Sequence, residues 1–313
     1  MQYGAWVYPG APATDAPLTY RAKRLNILRS EYFTLCSDGL LKLIVENPTD
    51  LMSTANAFSD ANIADIKAYS DEQYATVSGS DTVALRRLFQ CPSAAIKTLC
   101  NFVVQNGITG IDIDFERISA WTSADFVAYK AFLTQLGNDL HANGKKLTVC
   151  TPVWTFPRGA AIDLTKPPYQ WWYKELVSLP INFITPMVYD YQWDMGAGQP
   201  VTPIWWLTAW ARVLVSLFGA DRVMIGIPSY GHTGTVSQYD ITTKTLDQVR
   251  SAGQYDAMKR DTESGEMIVK TAGGQTWVAN DATSMIKKRD ALVACGVTKI
   301  CVWHLGGGNE YPF

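Results

Sequence analysis

The chain has 313 residues, more than a small domain needs and enough to bury one large core. Its formal net charge is −2, with 27 Lys and Arg set against 29 Asp and Glu and no long run of one sign, so no nucleic acid and no membrane surface is expected as a charge partner. No apolar stretch is long enough to cross a bilayer, and Met1 to Trp6 lack the basic-then-apolar pattern of a signal peptide; either export does not use one, or the sequence starts at a mature N-terminus.

Apolar runs of strand length recur at Tyr3 to Tyr8, Leu25 to Phe33, Tyr74 to Val77, Gly110 to Glu116, Leu147 to Val153, Phe183 to Tyr189, Val223 to Ile227 and Lys299 to His304. Helical periodicity fills most of the gaps, clearest at Ser93 to Val104, Ala124 to His141, Trp205 to Phe218 and Thr283 to Cys295. Ser93 and Ser123 stand where a hydroxyl could cap the free backbone NH groups of a helix start. Strands alternating with helices predict a parallel sheet, and eight repeats predict an α/β fold closed into a (β/α)8 TIM barrel spanning residues 1–313 as one domain. An open doubly wound sheet is the rival, but Tyr8-Pro9-Gly10-Ala11-Pro12 is not its glycine fingerprint.

Residues 233–279 break the rhythm. They are polar, rich in Thr, Gly and Asp, and hold short strand-like pieces at Met267 to Lys270 and Thr276 to Ala279. They read as a small hairpin-bearing insertion after the seventh barrel strand, on the face where the loops form the functional end of such a barrel. The six cysteines (Cys36, Cys91, Cys100, Cys150, Cys295, Cys301) show no regular spacing and read as free buried thiols. The three histidines, His141, His232 and His304, are far apart, so no metal is expected; His232 and His304 read as structural residues or as part of a groove rim. Eleven Trp and fifteen Tyr are mostly core, though aromatic faces also stack on sugar rings.

The run Gly107 to Arg117 carries the chemistry. Asp112, Asp114 and Glu116 alternate with Ile111, Ile113 and Phe115, so a strand here places carboxylates on one face and large apolar groups on the other. An exposed edge strand with merely solvated acids is the bland alternative, yet the Lys or Pro that usually blunts an edge is missing. Three neighbouring carboxylates repel, and repulsion raises at least one pKa, as a general acid near neutral pH requires. In the barrel, Glu116 falls at the mouth and Asp112 deepest. The outermost acid can then donate a proton, the middle one can turn between ligand and neighbour, and the deepest can share a proton with the middle one.

Thr109 to Glu116 resembles the Asp-Gly-x-Asp-x-Asp-x-Glu signature of family 18 glycoside hydrolases, the chitinase family, with Thr109 in place of the first Asp. Met187-Val188-Tyr189-Asp190 resembles the family's sixth-strand Met-x-Tyr-Asp, and Gly226 to Gly231 its seventh-strand Gly-x-Pro-x-Tyr-Gly, followed here by His232 where many members have Arg. Trp303 resembles the eighth-strand Trp, Asn280 to Ser284 the entry to the last helix, and, more loosely, Val77-Ser78-Gly79 and Ser37-Asp38-Gly39 resemble third-strand and second-turn features.

The resemblance implies a retaining glycosidase with substrate assistance, cleaving β-1,4-linked N-acetylglucosamine polymers such as chitin without a cofactor. It implies Glu116 as acid and base, Asp114 as holder of the substrate acetamido group, Asp112 as its deeper partner, and Tyr189 as donor to the acetamido oxygen. Asp190, Met187, Tyr230 and Trp303 are the expected substrate-binding residues, with Trp6, Trp193 and Trp205 as candidate sugar platforms. The expected partner is an N-acetylglucosamine-containing polysaccharide bound by a monomer, and the family suggests an extracellular location. A peptidoglycan or glycan N-acetylglucosaminidase of the same family and a catalytically silent chitin-binding lectin are the alternatives; retention of Glu116 speaks against the last.

Overall fold

The computed structural model describes residues 1–8, 15–45, 56–164, 173–236 and 238–313. In chain order its strands begin with β1 Gln2–Val7, β2 Leu25–Leu35, β3 Leu41–Leu43, β4 Ser70–Gly79 and β5 Gly110–Phe115. They continue with β6 Lys146–Thr151, β7 Phe183–Pro186 and β8 Ile225–Pro228. After these come β9 Gly231–Thr235, β10 Thr242–Lys244, β11 Lys259–Arg260, β12 Met267–Lys270, β13 Gln275–Ala279 and β14 Lys299–Trp303.

Eight of them form a parallel sheet in the order β7-β6-β5-β4-β2-β1-β14-β8, with β3 added antiparallel to β2. The ends meet through two isolated parallel bridges, Ile184 to Val223 and Met187 to Gly226, which nearly close a (β/α)8 barrel. All eight predicted strand runs are present, and β7 stops at Pro186, so that Met187 to Asp190 lie on the rim beyond it.

Alternation divides the core into two layers. Outward residues of β5, namely Ile111, Ile113 and Phe115, pack under the helices in the large apolar cluster with Leu133, Leu136 and Leu140. Phe115 lies 6.0 to 6.3 Å from the rings of Phe89, Tyr129 and Phe132. Inside the barrel a smaller cluster gathers Trp6, Ile27, Tyr74, Cys150, Phe183, Met224 and Cys301. Gly110 begins β5 on the inward face; a Cβ there would sit 2.0 Å from the Lys146 carbonyl oxygen, so only glycine lets β5 and β6 approach.

The helices start one residue earlier than the serines suggest. Ser93 is the first residue of helix Ser93–Asn106, whose N-cap is Pro92 and has no side chain able to accept. Ser123 opens helix Ser123–Ala142, capped instead by Thr122, which exchanges hydrogen bonds with Asp125 in a capping box. The cysteines are free, but Cys91 is exposed and Cys36, Cys100 and Cys295 are half-buried; only Cys150 and Cys301 are fully inside.

Between β8 and the last helix, β9 to β13 form a five-stranded antiparallel sheet in the order β10-β9-β13-β12-β11. Its first strand begins at Gly231, where a Cβ would fall 1.8 Å from the Val278 carbonyl oxygen. Val278 of this sheet packs with Val201 and Tyr230, and Tyr189, Ile268 and Trp303 lie against them.

Candidate active site

Because β5 is a barrel strand, its alternate positions Asp112 and Asp114 point into a space with little water, and Glu116 follows its last residue. The Glu116 backbone NH still donates to the Gly79 carbonyl at 2.8 Å, which fixes the acid to the rim. Arg117 then turns the chain away at φ 54°, a left-handed conformation unusual for a side chain other than glycine.

Asp112, the deepest acid, is expected from the sequence to share a proton with Asp114; the hydrogen bonds to its oxygens come instead from other strands. Thr148 Oγ1 donates to its Oδ1 at 2.6 Å, while Thr76 Oγ1 at 3.1 Å and Trp6 Nε1 at 3.2 Å donate to Oδ2. The Cys150 thiol also points at Oδ2, 3.6 Å away. Arg29 of β2 sits 3.4 Å off as counter-ion, and both side chains are fully shielded from solvent. Its guanidinium lies over the rings of Trp6 and Phe183, at 4.9 and 5.3 Å. A buried charge of this kind persists only when paired, so the acidic strand has compensation supplied from another strand.

Asp114 is nine-tenths buried, and its Oδ1 has no hydrogen-bond partner. Burial first, and then the charges of Glu116, Asp112 and Glu31, push its pKa well above the usual carboxylate range, against a lowering hydrogen bond from Cys150. Glu116 is exposed at the mouth, yet protein surrounds much of its carboxyl. Desolvation and, next, the Asp190 charge raise its pKa, while Arg117 acts the other way.

Tyr189 and Asp190 reach the same region from the segment beyond β7. Burial, followed by the charges of Asp114 and other neighbours, holds the Tyr189 phenol well above its ordinary pKa, so it remains a hydroxyl donor. Asp190 adopts φ 70°, accepts from Tyr230 Oη at 2.6 Å and Gln192 Nε2 at 3.1 Å, and has a pKa raised by burial against those lowering bonds. Trp303, at the end of β14, is half-buried between Trp6 and Tyr8, with ring separations of 5.6 and 5.5 Å.

Several expected sugar contacts have other places. Trp6 is 1 % exposed and donates to Asp112, so it forms the floor beneath Trp303 and offers no platform. Tyr230 is buried, and its hydroxyl is engaged by Asp190. Met187 packs with the barrel-interior cluster. Trp205 lies edge-on to Phe156 and Tyr191, at 5.5 and 6.0 Å, against the outer core. Trp193 is half-buried, pairs with Tyr239 at 6.1 Å, and hydrogen-bonds Asp190 through its side chain. His232 is fully buried in β9, and burial pushes its pKa down to about 4, which makes it a neutral structural residue at neutral pH.

The cleft at the mouth has a volume of about 330 Å³ and is lined by Tyr8, Glu31, Ser78, Asp114, Glu116 and Trp303 among others. Arg29 and Glu31 went unnoticed in the sequence. Their signal was present: Arg29 and Glu31 follow Ile27 at two-residue spacing on one face of β2, while Leu28 and Tyr32 on the other face pack in the outer core, the same alternation as in β5. Among the described residues, no group of His, Cys, Asp and Glu is arranged to hold a metal ion, and no helix is long and apolar enough to cross a membrane.

No protein-family profile matches the chain. A Bacillus subtilis protein named as a sporulation-specific glycosylase is 26% identical over 163 residues, covering 50% of this chain and 36% of that protein, so the chain spans only about a third of that relative. Among solved structures, a chitinase from Chromobacterium violaceum superposes with a TM-score of 0.78 at 21% identity, covering 97% of this chain and 94% of the other. The spore cortex-lytic enzyme SleL of Bacillus megaterium gives a TM-score of 0.74 at 19% identity over 99% of this chain and 71% of its own. At such identities the structural likeness establishes the barrel fold, and chemistry has to be argued from the site.

Proposed function

We propose that this protein is a retaining glycoside hydrolase of the family 18 type, cleaving β-1,4-linked N-acetylglucosamine polymers with the substrate's own acetamido group as nucleophile. The observation that carries the reading is the pair Asp114 and Glu116 lining one cleft at a barrel mouth, both with raised pKa and with one buried Asp114 oxygen left without a partner.

Glu116, protonated, gives its proton to the glycosidic oxygen as the bond from that oxygen to the anomeric carbon breaks. The acetamido oxygen of the same sugar bonds to the anomeric carbon, forming an oxazolinium ion. Asp114 accepts the acetamido NH and, as an anion, stabilises the positive charge that develops. Tyr189 donates to the acetamido oxygen, Asp190 holds the distorted ring with Tyr230 behind it, and Trp303 stacks beneath. Water then attacks the anomeric carbon and Glu116 takes its proton, which returns the acid to its starting state. No step requires a metal or cofactor.

Bacterial wall glycan is the second substrate reading, favoured by the sporulation-specific name of one relative and the cortex-lytic activity named for one structural neighbour. The test is to incubate wild type and Glu116→Gln with N-acetylchitooligosaccharides and, separately, with purified peptidoglycan. The expected result is hydrolysis of one of them by wild type and a loss of at least about a hundredfold in kcat for the variant. Binding without cleavage by wild type on either polymer would instead favour the lectin reading.

A further inference from the structure

The cleft is more acidic than the proposed reaction needs. Glu31, Asp81, Asp114 and Glu116 all line it, and none of its lining residues is Lys, Arg or His. Asp81 is occupied at a helix start, where it accepts from the Val83 backbone NH at 2.8 Å. Arg117 is exposed beside Glu116 and Lys42 is exposed opposite Thr34 in the β2–β3 ladder; neither lines the cleft. Arg29 is committed to Asp112 below. Residues 9–14 and 46–55, which follow β1 and β3 in the chain, contain no Lys, Arg or His.

Glu31 is therefore a carboxylate without an assigned task. It precedes the irregularity in the pairing of β2 with β4 and faces the cleft beside Ser78 and Tyr8. Its carboxylate takes a hydrogen bond from Ser78, while among the described residues its Oε2, closed off from bulk water, has no partner. A half-buried carboxylate compensated by a single hydroxyl is costly to hold as an anion, and a cationic donor is what would satisfy it best.

We propose that Glu31 forms a subsite for a glucosamine unit with a free 2-ammonium group, bound next to the N-acetylated unit being cleaved, so that partially de-N-acetylated polymer is the preferred substrate. This rests on the hydrolase reading above. The unit at the broken bond must keep its acetyl group, because that oxygen is the nucleophile, so selection for positive charge has to act on a neighbouring unit. An ammonium presents three donors to Glu31 and the Ser78 hydroxyl, while the Tyr8 ring on the same cleft suits the apolar face of a sugar. An uncharged acetamide in the same place would leave the carboxylate uncompensated. Partly deacetylated chitin and peptidoglycan with free glucosamine both carry this group.

The test compares oligosaccharides of defined acetylation, drawn from both sources, with wild type, Glu31→Gln and Glu31→Lys. The quantity read is the ratio of kcat/KM for the free-amine substrate to that for its fully acetylated counterpart. The ratio should fall by about tenfold or more in Glu31→Gln and further in Glu31→Lys, and sequencing of wild-type products should show a free amine next to the cleaved unit. An unchanged ratio overturns the proposal. In parallel, calorimetry measures glucosamine-oligomer binding to Glu116→Gln with and without Glu31→Gln. Weaker binding by the double variant alongside absent hydrolysis by wild type supports the subsite and removes the hydrolase reading. Equal binding alongside normal hydrolysis removes the subsite alone. The source whose oligomers show the larger wild-type ratio identifies the polymer.

Discussion

Asp114 is the residue whose environment is most at odds with its charge. Its folded pKa is raised, chiefly by burial, so the protonated form is the one favoured by folding. The stabilisation this gives is complete below the unfolded carboxylate pKa and is lost as pH rises through the raised folded value. Asp114→Asn removes the ionisation, so the variant should gain melting temperature over wild type, by a few degrees at pH 8, with the gain vanishing near pH 4. Thermal scans across that range check this, and a gain independent of pH would refute it. The same variant should lose most hydrolytic activity, since an amide cannot supply the negative charge proposed for the acetamido group. Asp112 shows the opposite solution with Arg29 as its partner, a pair that no local pattern reveals because the two residues lie on different strands far apart in the chain.

At the level of elements, the antiparallel sheet is fastened to the barrel by two ion pairs. Glu266, just before β12, accepts from the backbone NH groups of Val201 and Thr202 at 2.8 and 2.9 Å and from Lys288 Nζ at 2.7 Å. Lys288, on helix Ala282–Val293, also donates to Asn280 and is entirely buried. Lys288→Met leaves the Glu266 charge unpaired and should lower stability by about 3–5 kcal/mol, measured by urea unfolding. Arg260 of β11 grips Asp281, the cap of that same helix, through bonds of 2.7 and 2.6 Å. Burial works to raise the Asp281 pKa, but the Arg260 and Ser284 hydrogen bonds override it and hold the carboxyl below its ordinary range. That depressed value contributes stability above the unfolded carboxylate pKa, which is lost only in strong acid. Composition sets residues 233–279 apart in the sequence; the ties of the antiparallel sheet to the barrel depend on residues spread over three elements.

For the molecule as a whole, the weakest seam is the meeting of β7 and β8. Every other neighbouring pair of barrel strands is joined by a ladder of several residue pairs, that of β2 and β4 with one irregularity, whereas this one has two isolated bridges. Fewer cooperative hydrogen bonds mean cheaper local opening. Amide exchange should therefore be faster in Phe183–Pro186 and Ile225–Pro228 than in Gly110–Phe115, and uniform protection around the barrel would contradict it. The seam borders Tyr189 and Asp190, so the residues proposed to hold the sugar sit where the barrel yields most readily.

Local sequence determined the alternation of β5, the eight strand runs and the longer helices, because side-chain period and apolar spacing are properties of neighbouring residues. It also brought Glu116, Asp114, Tyr189, Asp190 and Trp303 to notice as one set. Tertiary structure alone decided that Trp6 and Tyr230 are buried supports, that Arg29 neutralises Asp112, and that Glu31 lines the cleft with no counter-ion among its lining residues. Burial and counter-charge arise from strands distant in the chain, and electrostatic energy depends on distance in space and on exclusion of water, neither of which a local pattern carries.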